Sequence, residues 1–365
     1  MVGAGIVGCA VAHELARRGA SVEVLDDRPI GMGATQASAG VLAPYIEGRE
    51  GSPLLPLAVR SLGLYDDFVA RVSAESGMAI PYKRSGTLDV AFDDRDLQAL
   101  RKTADALTKL RVSAALLDGP GAKREEPHIG DGAIGALVVE THGFVAASAL
   151  TRALAAAARN AGASFLDASR VRGIRPDGPT ELLVETDKGA LTADTVIVAA
   201  GSWSGEVAVA GVTERVPVRP VRGQLLSLQW RGAPLRRVTW SSRCYLVPWD
   251  DGTVLVGATV EEAGFDERPT AAGVRDLLEA ACEVVPHAWT AGFSGARAGL
   301  RPATPDDLPV IGPSTVVPNL WYATGHFRNG VLLAPLTAQL VADAVIGGRR
   351  DSMLAAVSAA RFGAL

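Results

Sequence analysis

The chain has 365 residues, 48% hydrophobic and 21% charged, with a formal net charge of -4. That length suits two domains around a large core, and the lack of a basic excess excludes a nucleic-acid footprint. Cys9, Cys244 and Cys282 form neither a metal spacing nor a disulfide framework, and no run of 18 apolar residues offers a membrane span. The expectation is a cytoplasmic protein in a reducing compartment, with no metal, nucleic-acid or membrane partner.

Only Met1 and Val2 precede Gly3-Ala-Gly5-Ile-Val-Gly8, so a stunted first strand is expected, paired with a strand at 22–25. Apolar Ile6, Val7, Ala10, Val11 and Leu15, closed by Arg17, Arg18 and Gly19, predict a helix over 6–18. The strand that follows ends at Asp26. Residues 32–44 are small and polar and read as a loop. Helices are expected at 54–75 and 96–110, with a strand at 86–92 between them. An alanine-rich helix covers 148–161, followed by short strands at 164–174, 181–186 and 190–192. The apolar run 195–199 suits a strand buried on both faces of a parallel sheet. Antiparallel-looking strands fill 216–260, a helix covers 271–285, and Gly330 opens a last helix to about Ile346. Its Pro335 is read as tolerated in a first turn. Nucleotide-type elements thus occur at both ends and in the middle, which implies a discontinuous α/β nucleotide domain with a second domain inserted twice.

Gly3, Gly5 and Gly8 permit the tight turn, close pyrophosphate approach and close helix packing of a dinucleotide fingerprint, with the helix N-terminus supplying N–H donors. Asp26, 18 residues after Gly8, is the expected acceptor for ribose hydroxyls, with Asp27 a neighbouring candidate. The loop Thr35-Gln-Ala-Ser38-Ala-Gly40 replaces a further strand–helix repeat and favours flavin over nicotinamide. Thr35 and Ser38 then either donate near a pyrophosphate or serve plain turn chemistry. A helix N-terminus at Gly330 could stabilise negative charge on a reduced flavin ring. Arg301, in Ala298-Gly-Leu-Arg-Pro302, and Arg328, in Gly325-His-Phe-Arg-Asn-Gly330, are expected at glycine- and proline-rich turns. Their planar guanidinium forks suit a small carboxylate substrate, although a structural ion pair is the alternative reading of each.

Six segments together resemble the glycine oxidase family of the D-amino acid oxidase superfamily: Gly3-Ala-Gly-Ile-Val-Gly8, Ala37-Ser-Ala-Gly-Val-Leu42, Val198-Ala-Ala-Gly-Ser-Trp203, Cys244-Tyr-Leu-Val-Pro248, Gly299-Leu-Arg-Pro302 and Gly325-His-Phe-Arg-Asn-Gly330. The resemblance covers essentially the whole chain. It implies a two-domain α+β flavoprotein: a Rossmann-like FAD-binding domain over 1–80, 143–215 and 305–365, with an antiparallel-sheet substrate domain over 81–142 and 216–304. The implied activity is oxidative deamination of glycine, sarcosine and D-alanine, with dioxygen reduced to hydrogen peroxide, in thiamine biosynthesis. The alternative is a D-amino acid dehydrogenase passing electrons to a quinone or other acceptor. A homo-oligomer, dimer or tetramer, goes with the family.

By the same resemblance Arg301 clamps the substrate carboxylate, Tyr245 gives it a second contact and Arg328 supports. The implied FAD contacts are Gly3, Gly5, Ile6, Val7, Gly8, Asp26, Asp27, Thr35, Ala37, Ser38, Ala39, Gly40, Val41, Leu42, Val171, Ala200, Gly201, Trp203, Arg301, His326, Arg328, Asn329, Gly330, Val331 and Leu332. His326 reads as a positioning or structural histidine rather than a general base. Relatives that attach flavin covalently carry a cysteine shortly before a Thr-Pro-Asp segment. Here Gly299 stands at that place before Thr304-Pro-Asp306, so non-covalent FAD is expected. Residues 44–57 are a candidate active-site lid.

Overall fold

The computed structural model describes residues 1–47 and 51–365, so part of the expected lid, 48–50, lies outside the described residues. The first element is as short as its sequence. Val2 alone makes parallel bridges to Leu25 on one side and Val198 on the other. It thereby joins two strand pairs into one parallel sheet: Ser164–Leu166 beside Glu23–Leu25, and Val196–Val198 beside Leu320–Thr324. Val310–Pro313 adds an antiparallel edge.

Period-two alternation decides what covers each face of that sheet. Ile197, Trp321 and Ala323 point into a core built with the helices Ile6–Arg17, Ala147–Asn160 and Gly330–Val345. Val196, Val198, Leu320 and Tyr322 point the other way, onto Ile174, Leu182 and Val184 of a small mixed sheet. Both faces are therefore buried, which explains the apolar run Val196-Ile-Val-Ala199.

The second region is an eight-stranded sheet that unites strands from two distant parts of the chain. Thr87–Ala91, Ala114–Asp118 and Gly135–Val139 come from the first part, and four strands between Arg219 and Gly257 plus Gly292–Ala303 come from the second. The join is a parallel pair, Val238 opposite Thr87, so the sheet expected to be antiparallel is mixed at that one place. Leu226, Leu246, Val254 and Val256 pack under the helix Ala271–Val284. The opposite face, with Leu225, Val247 and Leu255, packs against Ala39 and Phe144 of the first region. The cavity lies on that side.

Several local expectations change. The helix expected over 54–75 is two, Leu54–Gly63 and Tyr65–Ser76, which meet at Leu64. The loop at 32–44 contains a 3-10 turn, Ala34–Ala37, and a short strand, Val41–Leu42. Arg301 is not at a turn but inside the twelve-residue strand Gly292–Ala303. Pro335 is the sixth residue of its helix rather than part of the first turn. A proline there removes an N–H and leaves the carbonyl four residues earlier without its helical donor. Tyr65 replaces that donor, its hydroxyl bonding the Val331 carbonyl at 2.5 Å. Ser61 donates to the Leu332 carbonyl at 2.6 Å and accepts the Leu336 N–H at 3.4 Å.

Candidate functional site

The turn after Val2 needs glycine for three different reasons. Gly3 has φ +105°, and a Cβ on it would stand 2.4 Å from the Ala199 carbonyl oxygen. At Gly8 a Cβ would stand 2.0 Å from the Gly3 carbonyl oxygen, so Gly8 serves packing of the helix on its own turn. Gly5 begins the helix, and the nearest atom to a Cβ there is the Thr35 hydroxyl oxygen at 3.7 Å, so its bare face looks into open space. The helix start thus presents backbone N–H groups and the positive end of its dipole to a cavity.

That cavity, of ≈ 480 Å³, runs from Gly3, Gly5 and Asp26 past Ser38 and Gly201 to Tyr245, Arg301 and Arg328. All the expected site residues line it except Gly8, Leu42 and Leu332. Leu42 and Leu332 belong to the core beneath, at 0% and 2% exposure. Leu42 follows Val41 on a strand and so faces the opposite side.

Asp26 is engaged before any ligand arrives. Its carboxyl accepts the Ala4 N–H at 2.6 Å and the Arg28 N–H at 2.9 Å. Burial pushes its pKa up, and the two amides oppose the shift. The acid therefore also braces the glycine turn. Thr35, buried, accepts the Ile6 N–H at 3.2 Å, and Ser38 accepts the Gly40 N–H at 3.1 Å. The Ser38 contact is local turn chemistry, whereas Thr35 reaches 29 residues to the first N–H of the helix, and both residues line the cavity.

The end of the cavity around Arg301 is assembled by a strand rich in glycine and alanine. Gly299, in Gly292–Ala303, comes so near the 34–37 turn that a Cβ on it would be 2.9 Å from the Ala37 Cβ. The Gln36 amide donates to the Ala298 carbonyl at 2.8 Å and the Ser202 hydroxyl to the Leu300 carbonyl at 2.9 Å. The Phe327 N–H donates to the Pro302 carbonyl at 2.9 Å, which ties the 325–330 turn to the end of the same strand.

Two further glycines make room for the two side chains expected to bind substrate. A Cβ on Gly223 would lie 2.3 Å from the Arg301 guanidinium carbon, and one on Gly257 would lie 2.4 Å from the Tyr245 hydroxyl oxygen. Gly257 stands directly opposite Tyr245 in the ladder. Arg301 donates to the Thr259 carbonyl at 2.9 Å. Trp240, also in the lining, packs on Tyr245 with ring centres 4.8 Å apart. Arg328 is exposed, with its guanidinium 5.2 Å from the Phe327 ring centre. His326 is 3% exposed, contacts the Thr337 hydroxyl at 3.1 Å, and burial pulls its pKa down to about 3. Burial thus favours the uncharged imidazole there.

Sequence reasoning missed Gly223, Gly257, Thr259 and Arg28. Glycine inside a strand was the available signal for the first two, since it marks close approach of another group. Arg28 lines the nucleotide end, with its guanidinium 4.1 Å from the Trp203 ring centre and paired with Glu267 at 2.8 Å.

The sequence profile of the DAO family, FAD dependent oxidoreductase, matches residues 1–344. The chain belongs to that family. A glycine oxidase from Geobacillus kaustophilus is 33% identical over 348 residues, covering 94% of this chain and 92% of its own. The crystal structure of glycine oxidase from that organism superposes with a TM-score of 0.92 at 30% identity, covering 100% of this chain and 97% of the other. A bifunctional protein ThiO/ThiG from a Nostoc sp. is 32% identical over 358 residues, covering 97% of this chain but 53% of its own length. The chain therefore spans about half the length of such bifunctional relatives.

FAD is the cofactor of this DAO-family oxidoreductase, and its residues fit that group. The bare Gly5 face and the helix start suit a pyrophosphate. The Asp26 carboxyl stands at the adjoining strand end, in the lining of the same cavity. Among the described residues no helix is long and apolar enough to cross a membrane.

Proposed function

We propose that this chain is an FAD-dependent oxidase of glycine and other small amino acids, sarcosine and D-alanine among them. The amino acid, dioxygen and water would give the 2-oxo acid, hydrogen peroxide and ammonia, or methylamine where the substrate is sarcosine. One observation carries this reading: Arg301 and Tyr245, each over a strand glycine, stand in the same cavity as the glycine turn of the nucleotide site. The names of the relatives at about 30% identity support it, and the bifunctional ones support a role in thiamine thiazole synthesis.

Bound in this cavity without a covalent link, FAD would supply the two-electron acceptor. The chain's own part is to bind and orient. The Arg301 guanidinium takes the substrate carboxylate, since a carboxylate leaving water needs a paired charge and hydrogen bonds. The Tyr245 hydroxyl adds a second donor, and Trp240 packed behind it limits the room for a substrate side chain. His326, buried and neutral, neither takes a proton nor adds charge. Arg328 lends long-range positive potential from the rim. In this reading the FAD-binding domain comprises 1–80, 143–215 and 305–365, and the substrate domain 81–142 and 216–304.

The test is dioxygen uptake and peroxide release by the holoenzyme on addition of glycine, sarcosine and D-alanine. A flavin bleached by glycine without peroxide in air would reject the oxidase in favour of a dehydrogenase. No bleaching by any of the three would reject the substrate class.

A further inference from the structure

The backbone beside Arg301 leaves regular pairing at one point. Strand 219–229 pairs with strand 253–257 as far as Leu225 opposite Gly257. Regular pairing would continue with Gly223 opposite Thr259 and Val221 opposite Glu261. The next bridge instead joins Arg222 to Glu261, so one extra residue is inserted between 257 and 261. Such bulges re-aim groups beside active sites. Here the Thr259 carbonyl accepts Arg301 Nη1 at 2.9 Å.

A polar network, buried at Arg222 and Gln224 and half-buried at Thr259 and Glu261, holds the bulge. Thr259 Oγ1 accepts the Gln224 N–H at 2.9 Å and donates to Glu261 Oε1 at 2.5 Å. Glu261 Oε1 also accepts Gln224 Nε2 at 2.7 Å, and Glu261 Oε2 accepts Arg222 Nη2 at 2.6 Å. Arg222 and Gln224 are 7% and 0% exposed. Gln224 is locked in turn by Thr270, whose N–H it accepts at 2.8 Å, and by the helix glycine Gly273, where a Cβ would stand 2.3 Å from Gln224 Nε2. Arg222 also pairs with Asp266 at 3.2 Å, and its bonds and those of Gln224 meet on Glu261, which Thr259 joins through its hydroxyl. A satisfied network of this kind fixes one backbone conformation.

We infer that Glu261 is a positioning residue for the carboxylate clamp, acting with Arg222 and Gln224 through Thr259 to hold the Thr259 carbonyl against the Arg301 guanidinium. The inference rests on the reading of Arg301 as the carboxylate ligand. A neutral carbonyl orients the planar fork without cancelling its charge, whereas a carboxylate in that place would compete with the substrate.

The experiment is isothermal titration of the FAD holoenzyme with acetate, a carboxylate that cannot be oxidised at an amine, beside steady-state kinetics with glycine. Glu261→Gln and Thr259→Val should each raise the acetate Kd and the glycine KM by about tenfold, with kcat within about twofold, because a fraction of an ångström of misorientation suffices. Thr259→Ser, which keeps the hydroxyl, should restore acetate affinity. Arg301→Ala is the control. If it abolishes acetate binding while the other variants leave Kd unchanged, the positioning role is overturned and the clamp stands. If Arg301→Ala itself leaves Kd unchanged, the clamp reading falls first. Loss of folded, FAD-containing protein in both Glu261→Gln and Thr259→Val would assign the network to folding and overturn the inference as well.

Discussion

The sharpest single perturbation of the clamp is Gly223→Ala. The added methyl carbon would stand 2.3 Å from both Cζ and Nη2 of Arg301. Ordinary contact between such atoms begins near 3.5 Å, so the guanidinium must retreat by about 1 Å. The fold itself should barely register the change. Gly223 lies in a regular strand opposite Gly299, and the group it displaces is the far end of a flexible side chain. Alanine also restricts the unfolded chain, worth about 0.4–1 kcal/mol in favour of folding. Binding should suffer far more, because a 1 Å misplacement of a positioning group costs on the order of a hundredfold, or about 2.7 kcal/mol. The expected outcome is a glycine KM raised about a hundredfold with an unchanged melting temperature and a full complement of FAD. Absorbance gives the flavin-to-protein ratio, and initial rates of peroxide formation give KM. A KM within about threefold of the parent, in a protein that melts normally, would refute the contact between Gly223 and a working Arg301.

Other outcomes follow from the same geometry. Tyr65→Phe leaves the Val331 carbonyl without its donor and should cost about 1–3 kcal/mol in denaturant unfolding; no loss would mean that another group satisfies the carbonyl. Asp26→Asn exchanges a carboxylate for an amide whose oxygen can keep only one of the two N–H bonds from Ala4 and Arg28, and apoprotein titrated with FAD should show about tenfold weaker binding. Asp89 is a half-buried carboxyl pushed up from 3.8 to about 7 by burial first and by the charge of Asp96 second. Its folded state prefers the proton, so its contribution to stability is complete below pH 3.8 and is lost as the pH rises to 7. Asp89→Asn should therefore match the parent at pH 4 and exceed it by about 1–2 kcal/mol at pH 8, after allowance for solvent screening. Equal stability at both pH values would remove the electrostatic penalty.

What the sequence made legible was whatever repeats a local period. The helix at 6–17, the strand at 196–198 and the helix from Gly330 all carry their burial pattern in consecutive residues. The strand Gly292–Ala303 does not. Its sequence, GFSGARAGLRPA, is poor in β-branched residues, and its strand character comes from pairing along the whole of Arg219–Gln229 and from contact with the 34–37 turn. Hence Arg301 was recognisable as a chemical group but not as a strand residue. The resemblance implies Leu42 and Leu332 at the cofactor, yet the alternation of a strand and the turn of a helix carry each side chain into the core.

Pro335 shows the same limit from the side of the backbone. Its presence in a helix looked admissible by position, and the structure makes it admissible by partners. The two carbonyls at the start of the helix, on Val331 and Leu332, take hydroxyl donors from Tyr65 and Ser61. Those residues are four apart and reach the same place from one side of a helix pair far away in sequence. Gly330 and Val331 line the cavity, so the hydroxyls that satisfy this first turn also determine where its N–H groups stand. A segment of 61–65 with apolar residues at both positions would remove both hydroxyl donors and leave the Val331 carbonyl without a replacement for the N–H that Pro335 lacks, in the turn that faces the cavity. The tolerance of the proline and the placing of the helix start are therefore one requirement. It belongs to two distant segments, which is why no window of the sequence contains it.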